Sequence, residues 1–168
     1  AQSVTLTPGA AEAAAEHVEL LLPRLWLVHE QRQRWERRMD ALLDALGTPG
    51  EGRQEHRDVT ILRSLPGVGR VVAATMLAEA SRPLAHRDYQ TLRAQAGVAP
   101  VTRQSGKACF VVMRRSCNRR LRTALFHWAR TSIRLDEACR VHYARLRQRH
   151  GHARALRGVA DRLLRILV

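Results

Sequence analysis

The sequence has only three cysteines, Cys109, Cys117 and Cys139, and none of them forms a C-x-x-C pair. Three cysteines without such a pair indicate neither a disulfide framework nor a zinc ribbon. No apolar run approaches the about 18 residues that would span a bilayer, and no stretch resembles a signal peptide. We therefore expect a protein of the reducing cytoplasm with no membrane partner.

Acidic residues are also scarce, but only in one part of the chain. None lies between Asp88 and Asp136, where ten basic residues occur. Residues 101–168 hold seventeen basic and three acidic residues, so this segment carries the whole net charge of +14. A solvated helical face usually mixes both signs, whereas a block of one sign indicates a polyanionic partner. We therefore predict that the chain binds nucleic acid.

The first part of the chain has the pattern of a long helical arm. Apolar residues over 10–46 alternate in steps of three and four, a coiled-coil-like stripe, with Arg32 at the one charged position and Pro23 expected to kink or restart the helix. Such a stripe predicts self-association, so a homo-oligomer is expected. The predicted divisions are an arm over 1–46, a linker over 47–56 and a domain over 57–168. The stripe consists of Ala11, Ala14, Val18, Leu21, Leu25, Val28, Trp35, Met39, Leu42 and Leu46.

The rest of the chain is predicted to be mainly helical. Two helices over 57–80 flank a tight turn at 65–69, and Asp88 is placed to cap a short helix that ends at Gly97. The stretch 98–113 is rich in β-branched residues around a Ser-Gly pair, which is typical of a loop or small β-hairpin. Further helices follow from Ser116 or Asn118 to about 134, from Asp136 to 151 and over 153–168. The predicted fold class is therefore all-α with a small hairpin insertion.

The turn at 65–69 resembles a helix-hairpin-helix signature, with an apolar-x-Gly-apolar-Gly sequence and Ala73 four residues on. Glycines let the backbone approach a ligand closely, and the next helix points free N–H groups and its positive dipole end at an anion. The same glycines would also suit a plain helical hairpin. The phosphate-binding candidates of this turn are Gly67, Val68, Gly69 and Arg70.

A second group of candidates lies in the basic segment over 103–122. Arginine grips phosphate oxygens in pairs, which lysine cannot do. Three of the arginines would share one helical face if the helix began as early as Arg115. The candidates for phosphate contact are Arg103, Lys107, Arg114, Arg115, Asn118, Arg119, Arg120 and Arg122.

Ser105 is the one candidate catalytic residue. A Ser-Gly pair in a loop is usually turn chemistry, but Arg103 and Lys107 flank this one and could surround an attacked phosphate. No general base is visible nearby, and a serine hydroxyl needs activation before it can attack. The histidines and cysteines show no metal-ligand spacing, so no metal site is predicted in this stretch.

These motifs, in this order, resemble the C-terminal transposase domain of the insertion-sequence 110/116/902 family. The resemblance covers roughly two thirds of the chain. It departs at Cys117, where the family usually has glycine, and at Ala96, where leucine is common. The matching segments are Ile61–Gly69, Ala74–Glu79, Ala96–Pro100, Ser105–Lys107, Asn118–Arg122, Tyr143–Gly151 and Ala160–Leu167.

The resemblance implies a function that the residues alone do not establish. Family members join a ribonuclease-H-like domain with a Mg²⁺-binding acidic tetrad, a coiled coil and this domain, and they move DNA through a circular intermediate guided by a bridge RNA. The serine of the Ser-Gly motif, here Ser105, is their nucleophile toward DNA. The resemblance therefore implies a bacterial, nucleoid-associated transposase, of which this chain would be a piece that is inactive by itself and holds no cofactor.

Two other functions stay open at this point. One is a non-catalytic helix-hairpin-helix module that holds DNA or RNA for a partner enzyme. The other is a helical assembly scaffold whose basic face is incidental. The Ser-Gly motif between basic flanks favours the transposase over the first, and salt-dependent binding of DNA would exclude the second.

Overall fold

The computed structural model describes residues 7–48 and 55–168. Within these residues the chain forms seven helices and one two-stranded antiparallel hairpin, which confirms the predicted mainly all-α class with a small β insertion. None of the described helices is long and apolar enough to cross a membrane. The elements are α1 (Pro8–Gly47), α2 (Glu55–Ser64), α3 (Arg70–Ala85), α4 (Tyr89–Gln95), β1 (Pro100–Ser105), β2 (Ala108–Met113), α5 (Arg119–Leu135), α6 (Glu137–Arg147) and α7 (His152–Leu167).

Helix α1 is continuous through Pro23, so of the two predicted effects of this proline, a kink or a restart, the restart does not occur. Good helix formers on both sides let the helix propagate past the missing N–H. The large apolar side chains between Val18 and Val28 are exposed, including residues outside the predicted stripe such as Trp26 and Leu27. Apolar surface therefore surrounds this stretch of the helix.

The contacts divide the described chain into one unit that ends at Asp40 and another from Ala41 to Val168. The predicted arm, linker and domain boundaries stay a prediction, because residues 49–54 of the linker lie outside the described residues. In the second unit, the end of α1 contributes the buried Leu43. Asp44 forms an ion pair with Arg63 of α2, with 2.6 Å between Arg63 Nη2 and Asp44 Oδ1.

The core of the second unit is built around α5, which packs against α3, α6 and α7. Leu121, Leu125, Trp128 and Ser132 recur at helical spacing on α5 and are fully buried or nearly so. Each fully buried leucine stabilises the fold by about 1.5–3 kcal/mol. Other fully buried side chains include Leu62, Met76, Leu84, Leu92, Leu156, Val159, Leu163 and Leu164.

The predicted helix caps are confirmed at three positions. Asp88 accepts a hydrogen bond from the Thr91 amide at 2.9 Å, Asn118 from Leu121 at 3.1 Å and Asp136 from Cys139 at 2.8 Å. These caps satisfy amides that have no partner within the helix.

Helix α3 is longer than predicted, because it continues past Ala80 to Ala85 across a local break. Ala80 has φ of −131°, and Pro83 lies three residues later within the helix. A proline ring clashes with the carbonyl four residues earlier, so the bend at Ala80 relieves that clash with Glu79.

A buried ion pair fixes α2 to the loop after α3. The Arg87 guanidinium donates to Asp58 at 2.6 Å, and the Asp58 residue is only 4% exposed. Arg87 has φ of +50°, a left-handed conformation that costs free energy in a non-glycine residue. The pair holds this loop in place and, with it, the start of α4.

Candidate nucleic-acid interface

The turn between α2 and α3 is held from behind by α5. The Pro66 carbonyl accepts hydrogen bonds from Trp128 Nε1 at 3.0 Å and Ser132 Oγ at 2.8 Å. Gly67 has φ of +80°, and a Cβ atom there would lie 2.7 Å from Ser132 Oγ. Gly67 is therefore required by packing within the protein, independently of any ligand.

The other end of the same turn is open. Gly69 is exposed, and a Cβ atom there would meet nothing within 4 Å. Gly69 is the N-cap residue of α3, so no side chain caps the first amides of this helix. Arg70 is exposed beside it, and Val68 is half-buried. Of the four candidates in this turn, Gly69 and Arg70 face the space that a phosphate could occupy.

At the start of α5, two residues of the basic segment, Asn118 and Arg120, are hydrogen-bonded to Glu79. Asn118 donates from its amide to Glu79 at 2.6 Å while its oxygen caps α5, and Arg120 donates to Glu79 at 3.2 Å. These hydrogen bonds, that of Asn118 first, lower the pKa of Glu79. Asn118 is thus occupied within the protein. Arg119 stays exposed, on the rim of a shallow groove between α3 and α5.

Arg122 is not on an exposed face with Arg115 and Arg119. Helix α5 begins only at Arg119, so Arg115 precedes it. Arg122 is half-buried, donates to the Arg114 carbonyl at 2.5 Å and lies against Gly97, where a Cβ atom would be 2.6 Å from its Nη2. Arg122 therefore braces the base of the hairpin.

The hairpin places Ser105 at its tip. Ser105 pairs with Ala108 across a two-residue turn of Gly106 and Lys107, in which Gly106 has φ of +55°. Alternate residues of a strand share a face, so Ser105 lies on the same face of β1 as Arg103, about 7 Å along the strand. Both Ser105 and Arg103 are exposed.

That face opens onto a basic pocket of about 720 Å³ at the base of the hairpin. Arg103 comes from β1, while Arg114 and Arg115 come from the segment that leads into α5. The Nε atom of Arg114 is buried with no hydrogen-bond partner among the described residues. The arrangement combines cationic donors with an accessible hydroxyl on one face. The pocket is lined by Val101, Arg103, Val112, Met113, Arg114, Arg115 and Ser116.

The Ser105 hydroxyl forms no hydrogen bond with any residue in the described part of the chain. Across residues 7–48 and 55–168, no three His, Cys, Asp or Glu side chains are grouped so that they could hold a metal ion. Cys117, where the resembling family has glycine, leaves the Asn118 cap intact.

Residues 59–144 match the model of a protein family described as Transposase IS116/IS110/IS902 family. The chain belongs to this transposase family. The match begins in α2 and ends in α6, so it contains the open turn, the hairpin and all of α5. The predicted family is thus confirmed.

Relatives from insertion elements agree with this membership. A mini-circle protein of IS117 from Streptomyces coelicolor, named as a candidate transposase, is 40% identical over 114 residues, 66% of this chain and 27% of that protein. An IS110 protein of 43.6 kDa from the same species is 33% identical over 89% of this chain and 35% of its own length. An IS900 protein of 42 kDa from Mycobacterium paratuberculosis is 35% identical over 68% and 29%. The chain thus spans about a third of the length of these relatives.

Proposed function

We propose that this chain is the DNA-engaging part of a transposase, and that Ser105 is its nucleophile in the full-length protein. The observation that carries the proposal is the shared face of β1: Arg103 lines the basic pocket, and Ser105 lies two residues further along the same face, at the tip of the hairpin. Family membership supports the same role.

The chemistry is a transesterification at phosphorus. Ser105 Oγ attacks a phosphodiester, a new P–Oγ bond forms, one bridging P–O bond breaks, and the departing oxygen takes up a proton. Arg103 and the arginines of the pocket stabilise the charge on the non-bridging oxygens. The serine proton must pass to a base, and that base comes from outside the described residues. We therefore expect the isolated chain to bind DNA but to cut it negligibly.

A covalent-adduct assay tests this function. The full-length transposase that contains this chain is mixed with labelled donor DNA and run on a denaturing gel. Ser105→Ala should abolish the adduct and change DNA affinity by no more than about twofold, since one neutral hydroxyl contributes little to binding. Ser81→Ala, on the exposed side of α3, removes a serine outside the interface and should leave the adduct unchanged. An adduct that persists in Ser105→Ala would favour the non-catalytic binding module.

The exposed part of α1 supports a second element of the proposal, self-association of the chain. Leu21 and Leu25 are 45% and 69% exposed on the predicted stripe. Arg32 occupies the same stripe and forms only an exposed pair with Glu36 at 2.8 Å. In sedimentation experiments, Leu21→Glu with Leu25→Glu should produce monomers and Arg32→Leu should tighten the assembly. A monomeric parent chain at tens of micromolar would contradict this element.

A guide RNA and a Mg²⁺-dependent partner domain remain part of the proposal through the family resemblance alone. Placement at the bacterial nucleoid has the same basis. The RNA part is tested by competition, because an unlabelled bridge RNA should displace labelled DNA from the chain more effectively than an unrelated RNA of equal length.

A further inference from the structure

The opposite face of the hairpin covers a second basic pocket, of about 370 Å³. Pro100, Val111, Val112 and Met113 form the hairpin wall of this pocket, and α7 supplies Arg154 and Arg157 on the other side. Neither arginine was among the residues predicted from sequence. Because strand residues alternate, Pro100, Val111 and Met113 belong to the face of the hairpin that Ser105 and Arg103 do not share, whereas Val112 lies at the boundary of the two pockets.

Arg157 is a partly buried cation with no carboxylate partner among the described residues. Its Nη1 donates a hydrogen bond to the Met113 sulfur at 3.3 Å. Burial first, and then the positive charges of Arg154 and Arg122, lower the pKa of Arg157. Three guanidinium groups thus repel one another at the base of the hairpin, and an anion there would relieve this repulsion.

The one acid that lines this pocket is already occupied. Asp161 accepts hydrogen bonds from Tyr89 at 2.8 Å and from Arg93 Nε at 3.0 Å. It lies four residues after Arg157 on α7, the spacing at which an ion pair would form on a helix. Asp161 pairs instead with Tyr89 and Arg93 of α4, and it forms no ion pair with Arg154 or Arg157.

The sequence places one of these cations, Arg154, where the fold itself disfavours a positive charge. Arg154 lies in the first turn of α7, which has no acidic residue and no side-chain cap. The positive end of a helix dipole disfavours cations at this position. Gly158 maintains the geometry, because it lets Leu146 of α6 pack where a Cβ atom would clash at 2.5 Å.

We propose that Arg154 and Arg157 form a second phosphate-binding site, which holds a nucleic-acid backbone on the face of the hairpin opposite Ser105. Each arginine guanidinium can donate two parallel hydrogen bonds to the oxygens of a phosphate, so the site takes a phosphodiester of DNA or RNA. The hairpin would then be clasped by nucleic acid on both faces, with Ser105 held at its tip. This inference rests on the proposed function but uses residues outside its interface.

The test measures the salt dependence of binding for the chain with a fluorescein-labelled 20-base-pair DNA duplex and with an RNA duplex of the same sequence. Each phosphate contact contributes about 0.9 to the slope of log K against log salt for DNA. Arg154→Gln with Arg157→Gln should therefore reduce the magnitude of the slope by about 1.8. A matched control, Arg63→Gln with Arg140→Gln, removes the same charge from arginines already paired with Asp44 and Glu137, and should leave the slope unchanged.

Three further outcomes keep the site and the proposed function distinguishable. Arg103→Gln with Arg115→Gln should also reduce the slope. If only that pair does so, the second site is overturned and the Ser105 face stands. If only the α7 pair does so, the second site stands and the Ser105 face fails as a binding surface.

A fold effect and the source of the phosphate are separated by two more measurements. Arg154 is exposed, so Arg154→Gln alone should fold normally and still lower the slope by about 0.9. A normal fold with an unchanged slope would overturn the site. If the substitutions reduce the salt slope for the DNA duplex alone, the site is assigned to DNA. If they reduce it for the RNA duplex alone, the site is assigned to RNA. If an acidic peptide bound wild type and variant equally well and the substitutions changed the binding of neither the DNA nor the RNA duplex, the choice of a nucleic-acid ligand would be overturned.

Discussion

The buried pair of Asp58 and Arg87 allows a quantitative prediction about stability. Asp58→Ala removes a carboxylate whose side chain is 6% exposed, and leaves the Arg87 guanidinium, 25% exposed, without its partner. Nη1 of Arg87 is already buried without a hydrogen bond to any described residue, so the remaining group has no substitute acceptor there. Breaking a buried ion pair costs about 3–5 kcal/mol. We expect about 3 kcal/mol, because the partial exposure of Arg87 lets water solvate it in part.

Urea unfolding followed by circular dichroism measures this loss. Asp44→Ala is the matched control, because it also breaks a 2.6 Å pair with an arginine, but one whose side chains are 44% and 66% exposed. Exposed pairs contribute about 0–1 kcal/mol, so the control should lose less than about 1 kcal/mol. Asp58→Ala with Arg87→Gly should recover part of the loss, since no charge is left buried and glycine accepts the positive φ. A loss of under about 1 kcal/mol for Asp58→Ala, no larger than that of Asp44→Ala, would refute the reasoning.

Three other properties follow from the same contacts. Burial, and then the contact with Asp136, raise the pKa of Cys139 to about 11. Iodoacetamide at pH 7.5 should therefore modify the exposed Cys109 and spare Cys139 until the chain unfolds. Equal labelling rates for the two cysteines would contradict this. Hydrogen bonds from Cys139, first that of its thiol and then that of its amide, lower the pKa of Asp136. The stabilising effect of Asp136 is therefore present above its unfolded pKa and is lost as the pH falls through its folded pKa, so the difference in Tm between wild type and Asp136→Ala should shrink as the pH is lowered toward 3. Gly67→Ala should destabilise the chain far more than Gly69→Ala, because only Gly67 combines positive φ with a backbone contact, and comparable losses would show that packing does not explain Gly67.

The sequence was sufficient to predict most of the secondary structure. Apolar spacing on α5 and α7 and the capping residues Asp88, Asn118 and Asp136 are local signals, and each predicts a helix boundary to within a few residues. The end of α3 was missed, because a proline in sequence indicates a break, whereas here the bend at Ala80 lets the helix continue past Pro83.

The interface was less predictable, because it depends on contacts between distant segments. Sequence distance could not show that Glu79 occupies Asn118, that Arg122 turns inward against Gly97, or that α7 brings Arg157 beneath the hairpin. The alternation of side chains along β1 is a local signal, present in the sequence itself. It places Arg103 and Ser105 on one face as soon as the strand is recognised.

The most direct test of the central claim identifies the atom that becomes linked to DNA. The full-length transposase is trapped on donor DNA, digested with nuclease and trypsin, and analysed by mass spectrometry. Cleavage after Arg103 and Lys107 releases the peptide Gln104–Lys107, in which Ser105 is the one hydroxyl residue. We predict that this peptide carries the added nucleotide mass. A nucleotide found on any other residue, such as Tyr143, would contradict the account.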